Sequence, residues 1–190
     1  MLKELILKNR SYRRFYKSEK ISTEQLRKWV DLARNSASAR NSQSLKYILS
    51  TGESLNAQIF EQLAWAGYLT TWKGPDEGER PSAYIVLLHD TLISGNYFCD
   101  DGIAMQSILL GATEAGFGGC IIHSVNRDKL RKILNLSEQY EILYVLALGK
   151  PKETVVLDEM ADGDVKYWRD ENQVHHVPKR PLDEIIMEMS

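Results

Sequence analysis

Residues 97–115 are apolar around almost the whole circumference of a helix, with Ile103, Met105, Ile108, Leu109, Leu110 and Ala112 pointing in most directions. Such a helix cannot lie on a surface. It is buried inside a domain or in a subunit interface, so the chain must build cover on every side of it. Its 190 residues suffice for one domain with a real core. Cover is available. Residues 84–88 read as a buried strand, and 47–51, 118–122 and 142–148 as further strands. Leu2, Leu5 and Ile6 share the stripe of a short helix ending near Asn9. Ser22 and Gln25 form a capping box that opens a second helix carrying Leu26, Trp29, Val30 and Ala33. Residues 53–66, with Leu55, Ile59, Leu63 and Ala66 on one side, and 127–134 complete the helices. Gly67, Gly74, Pro75, Gly78 and Pro81 make 67–82 a loop, unusual in holding Tyr68 and Trp72. Gly116 is the expected helix cap before the 118–122 strand.

From Pro151 the composition changes. The tail is charged and shows little periodicity until 181–186. Forty residues with no core of their own are out of place in a compact monomer. The expectation is one domain over 1–190, with 151–190 a C-terminal tail that wraps a second subunit.

Charge narrows the partners. Lys plus Arg number 24 and Asp plus Glu 26. That balance argues against nucleic acid as a ligand, although a basic-arm binder is a rival reading of the N-terminus. No apolar run reaches the ~18 residues of a membrane span, so no membrane partner is expected. The first seven residues are too short in their apolar part for a signal peptide. Cys99 and Cys120 imply neither a disulfide framework nor a zinc site, and a reducing cytoplasm is the simplest reading. His175 and His176 have no second ligand pair, so no metal is expected.

Two segments carry the chemistry. Residues 8–15 present Arg10 and Arg13 around Ser11, and guanidinium groups bind phosphate bidentately. A solvated basic face is the plain alternative, and Arg14 fits it best. Residues 36–43 hold Ser38, Asn41 and Gln43, whose amides can read alternating donors and acceptors on a flat ring. Here the alternative is capping and turn chemistry after the preceding helix, above all for Ser38. Together the segments suit a ligand that is anionic at one end and a hydrogen-bonding ring at the other.

The pattern Arg10-Ser11-x-Arg13-x-Phe15, then Ser38-x-x-Asn41-x-Gln43, resembles the nitroreductase family of FMN-dependent oxidoreductases. So do Glu114-Ala115-Gly116-Phe117-Gly118, Leu148-Gly149-Lys150-Pro151 and Lys179-Arg180-Pro181-Leu182, in the family's order along nearly the whole chain. The resemblance implies an α+β fold, a central mixed sheet flanked by helices, in an intertwined homodimer with FMN at the interface. It implies that Arg10, Ser11, Arg13 and Arg180 hold the phosphate and ribityl, with Lys179 adding positive charge nearby. Ser38, Asn41 and Gln43 would approach from the partner or the ring edge. His123 and Ser124 would lie against the reactive face, where His123 is a candidate to tune the flavin or donate a proton.

The chain departs from the pattern in places. Asn9 stands where many members carry a further arginine, Ala37 where proline is common, Ser44-Leu45 where Pro-Trp is common, and His123-Ser124 where some have an acid-glycine or glycine pair. The implied activity is ping-pong reduction of a small electron-poor acceptor, a quinone or nitroaromatic, with NADH or NADPH as donor. Its rivals are another flavin reaction, such as reductive dehalogenation, and a flavin-binding or redox-sensing protein with little turnover.

Overall fold

The structure, a computed structural model, describes residues 1–189. Ser190, the last residue of the expected tail, lies outside the described residues. The framework is strand β5 (Tyr140–Pro151), long enough to host different partners along its two edges. One edge pairs with β3 (Ala83–Asp90), which pairs in turn with β2 (Leu45–Ser50). The other edge takes β4 (Gly118–Ile122) and, beyond it, β1 (Phe15–Tyr16). All these pairs are antiparallel.

Every residue of β3 is buried, because helices cover both faces of the sheet. On one face Ile85, Leu87, Leu146 and Leu148 pack with α2 (Thr23–Arg34) and α4 (Asp100–Glu114). On the other, Tyr84, Val86, Val145 and Ala147 meet Ile59 of α3 (Glu53–Phe60) and Leu130 of α5 (Arg127–Ile133). The expected buried helix is thus α4, and its cover is α2 and the sheet. The two helices approach closely at Gly111, where a Cβ would lie 3.1 Å from the Trp29 ring. The fold is α+β. Helix α1 (Leu2–Lys8) buries none of its residues. No described helix is long and apolar enough to cross a membrane.

Local signals act as their chemistry dictates. Ser22 accepts from the N–H of Gln25, and the Gln25 side chain returns to the Ser22 N–H. Gly116 (φ 76°) ends α4: its N–H bonds the Thr113 carbonyl and the next N–H bonds that of Ala112.

Two helix bounds are corrected, and the expected tail has a sheet of its own. The helix expected over 53–66 stops at Phe60. The chain instead pairs with 124–126: Ala64 N–H donates to the Ser124 carbonyl, and the Gln62 carbonyl accepts from Asn126. Backbone pairing there outweighs the apolar stripe. The helix expected from 97 begins at Asp100, because Phe98 is held left-handed (φ 51°) with its N–H on Asn96 Oδ1. The tail is structured on its own chain. Strands β6 (Val155–Glu159), β8 (His175–Lys179) and β7 (Trp168–Arg169) form a second sheet, with β6 and β8 parallel. A short helix, α6 (Leu182–Ile185), follows. The 67–82 loop packs against this sheet: Tyr68 lies 4.9 Å from Tyr167, and Trp72 lies beneath the Arg169 guanidinium at 4.2 Å.

Candidate anion-binding groove

After α1 the chain runs extended along the outer edge of β4. Ser11 bridges Gly119, and the Tyr12 N–H donates to the Gly119 carbonyl at 3.0 Å. Gly119 allows the packing behind it, since a Cβ there would sit 2.6 Å from the Ala147 carbonyl oxygen. Glu153 pins the arm from the tail side. Its wholly buried carboxylate accepts from the N–H groups of Arg13 and Arg14 and from the Arg169 guanidinium at 2.9 Å. Arg14 points away and grips Glu79 with two hydrogen bonds, at 2.5 and 2.7 Å, while Lys152 adds a third at 2.8 Å. The Arg14 hydrogen bond, helped by Lys152, brings the Glu79 carboxyl down to about 2.

Arg10, Ser11, Arg13 and Lys179 line one groove of about 330 Å³. Its lining holds these three cations and no carboxylate. That arrangement is chemically an anion site. The Arg10 Nη2 donates to the Ile6 carbonyl at 2.7 Å. The Arg13 Nη1 donates to the Ser11 carbonyl at 3.2 Å and lies 3.3 Å from His175 Nε2. The same guanidinium sits 4.9 Å over the Tyr167 ring. His175 is 1% exposed, and burial, with Arg13, Arg169 and His176, pushes its pKa down to about 4. Its ring is therefore neutral at neutral pH, and Nε2 accepts from Arg13, which can only donate.

Arg13 and Ile121 also line a neighbouring cleft of about 170 Å³, with Cys120, His123 and Ser124 on its wall. Gly119 turns its carbonyl to the open edge of β4, so by strand alternation Ile121 turns its backbone to the same edge. His123 is exposed, with its ring 5.5 Å from that of Tyr144. Burial raises the Cys120 thiol pKa, which keeps it protonated.

The second expected cluster lies elsewhere. Ser38 and Gln43 line a separate hollow of about 140 Å³ with Tyr47 and Asp100. The Ser38 hydroxyl is committed to the turn: it donates to buried Asp100 at 2.6 Å and accepts from the Gln43 N–H at 3.0 Å. Asp100 also takes the Ala39 N–H at 2.8 Å. Arg40, Asn41 and Gln43 all have left-handed backbone, with φ of 55°, 53° and 51°. Three such non-glycine residues within four positions persist only where surroundings hold them, and Asp100 anchors the start of this turn at Ser38 and Ala39. The exposed Gln43 amide donates to Asn41 Oδ1 at 3.1 Å. Arg180 does not reach the groove in its own chain. It is exposed and paired with Glu184, whereas Lys179 lines the groove. Glu153 and Tyr167 are residues that sequence reading missed, and it weighs His175 only as a metal ligand. Each is an isolated side chain with no local pattern, placed by contacts more than a hundred residues away.

The family model described as Nitroreductase family matches residues 6–76 and 98–150. The fold is similar to that of a nitroreductase family protein from Streptococcus pneumoniae TIGR4, with 17% identity, TM-score 0.69 and 100% of both chains covered. It is similar to one from Clostridium novyi NT, with 22% identity, TM-score 0.65 and 94% of each chain covered. An FMN-dependent nitroreductase from Clostridium difficile R20291 shares 20% identity at TM-score 0.63, over 83% of this chain and 90% of that one. No curated protein matches this chain.

Proposed function

This chain belongs to the nitroreductase family, and from that premise we propose that it is an FMN-dependent oxidoreductase. Its electrons come from NADH or NADPH and pass to small electron-poor acceptors such as quinones or nitroaromatics. One observation carries the reading: a groove with three cations and no carboxylate shares Arg13 and Ile121 with the cleft of His123 and Ser124. The donor set fits the cofactor. Arg10, Ser11, Arg13 and Lys179 suit a phosphate, and the outward backbone of Ile121 suits a ring edge.

When bound, FMN supplies the two-electron chemistry. The chain binds and orients it, and Tyr167 and the tail sheet keep water from the phosphate end. Within one chain Gln43, whose amide donates to Asn41 Oδ1, lines a different hollow from Arg10 and Arg13. A site that uses both clusters therefore needs two copies, with Asn41 and Gln43 of each facing the groove of the other. Exposed apolar side chains support such a homodimer: Leu2 and Leu7 on α1, Leu92 and Phe98 before α4, and Leu182 and Ile185 on α6. In it the chain is one domain whose tail closes its own groove and reaches the partner with α6, where Arg180 would exchange its pairing with Glu184 for the partner's site.

The test is spectral. Purified protein loaded with FMN should be yellow and should lose its flavin absorbance anaerobically on addition of NADH or NADPH. Regain of colour on adding a quinone completes the cycle. A protein that takes up FMN but is bleached by neither donor is a flavin binder with little turnover. One that takes up no FMN overturns the reading.

A further inference from the structure

We propose that His175 is a positioning residue for the cofactor phosphate, its neutral imidazole fixing the Arg13 guanidinium at the anion end of the groove; the proposal rests on the flavin reading above. The geometry is specific. His175 Nε2 lies 3.3 Å from Arg13 Nη1, the same nitrogen that donates to the Ser11 carbonyl at 3.2 Å. Tyr167 packs against both partners, 5.2 Å from the His175 ring and 4.9 Å from the Arg13 guanidinium. Arg13 is thereby held at several points. Its backbone N–H is on Glu153, its Nη1 is shared by Ser11 and His175, and its flat face lies over Tyr167.

An arginine so constrained cannot swing into solvent, and it meets an incoming phosphate without first losing side-chain freedom. The choice of histidine has a chemical reason. A carboxylate at this position would neutralise Arg13 and compete with the phosphate for it. A lysine or arginine would repel it. A neutral imidazole accepts one hydrogen bond and leaves the positive charge undiminished for the ligand. Arg13, Arg169 and His176 around the ring, together with its burial, keep it in that neutral form. His175 is also the first residue of β8, paired with Val155 of β6 and Arg169 of β7. The tail sheet therefore sets the position of a residue that the N-terminal arm carries.

The experiment compares FMN with riboflavin, which lacks the phosphate, by flavin-fluorescence quenching on apoprotein. His175→Phe keeps an aromatic ring against Tyr167 and removes the acceptor; His175→Gln restores an acceptor near Nε2. Expected in His175→Phe is FMN binding weakened about tenfold, the scale of one hydrogen bond to a charged group, with riboflavin affinity unchanged. His175→Gln should recover most of the loss. In an Arg13→Ala background, His175→Phe should cost nothing further. Unchanged FMN affinity in His175→Phe, beside a wild type that binds, overturns the role of His175 alone. Equal loss for FMN and riboflavin overturns it in favour of a merely structural part. Absence of FMN binding by the wild type overturns the flavin reading and this role with it. If the Phe variant does not fold, His175→Leu carries the same comparison.

Discussion

Arg13 and Arg14 are neighbours in sequence with opposite fates. Arg14 is spent on Glu79, while Arg13 faces a groove that holds no carboxylate. Arg13→Ala should weaken FMN binding by roughly one to two orders of magnitude, the range for a hydrogen bond to a charged group. Titration of apoprotein with FMN measures this. The buried titratable groups also set an acid limit on stability. Glu79 has its folded pKa near 2 against an ordinary 4.5, so its pairing contributes stability that is fully present above 4.5 and lost as pH falls toward 2. The full effect is roughly 3 kcal/mol. His175 acts with the same sign from a different cause. Its folded pKa near 4 lies below the ordinary 6.5, so the unfolded chain takes up the proton first, and stability falls between pH 6.5 and 4. Denaturant midpoints should be level above pH 6.5 and decline in these two steps. Glu79→Gln should flatten only the lower step and His175→Phe only the upper.

Among the elements, β4 bears the most constraint, because it pairs with β5 on one edge and carries the arm of residues 11 and 12 on the other. Gly119→Ala would place a methyl 2.6 Å from the Ala147 carbonyl oxygen and 2.9 Å from Leu109, forcing β4 away from β5. A loss of about 1–3 kcal/mol is expected. Calorimetry should show a lower Tm, and FMN affinity should fall with it because the arm moves with the strand. Elements of this kind were legible where their cause is local. The α2 capping box and the unbroken apolar run of β3 announce themselves within a few residues. The end of α3 did not, since it is decided by pairing with residues sixty positions on. The tail sheet was hidden for another reason. Its strands are short, β7 is two residues long, and β8 contains Pro178, a residue that argues against a strand, so neither alternation nor apolar runs mark them. Within the groove, Arg10, Ser11 and Arg13 could be grouped because they are adjacent in sequence. Glu153, Tyr167 and His175 could not.

At the scale of the whole molecule, the apolar side chains exposed among the described residues include those on α1, on the approach to α4 and on α6. In the proposed homodimer a second copy would cover them, and obligate interfaces bury ~2,000 Å² or more. Light scattering should give a dimer mass at micromolar concentration and below. A folded, flavin-loaded monomer would contradict the two-chain site. A last consequence concerns synthesis. The ties that fix Arg13 span 140 residues to Glu153 and 162 residues to His175. Domains are made from the N-terminus onward, so the first piece of the groove to leave the ribosome is the one that must wait longest for its partners. A nascent chain halted near residue 150 has its central sheet strands but neither clamp on Arg13, and it should not retain FMN. Halting it past residue 180 on a linker that clears the ribosome should allow capture, which makes flavin loading a reporter of the final steps of folding.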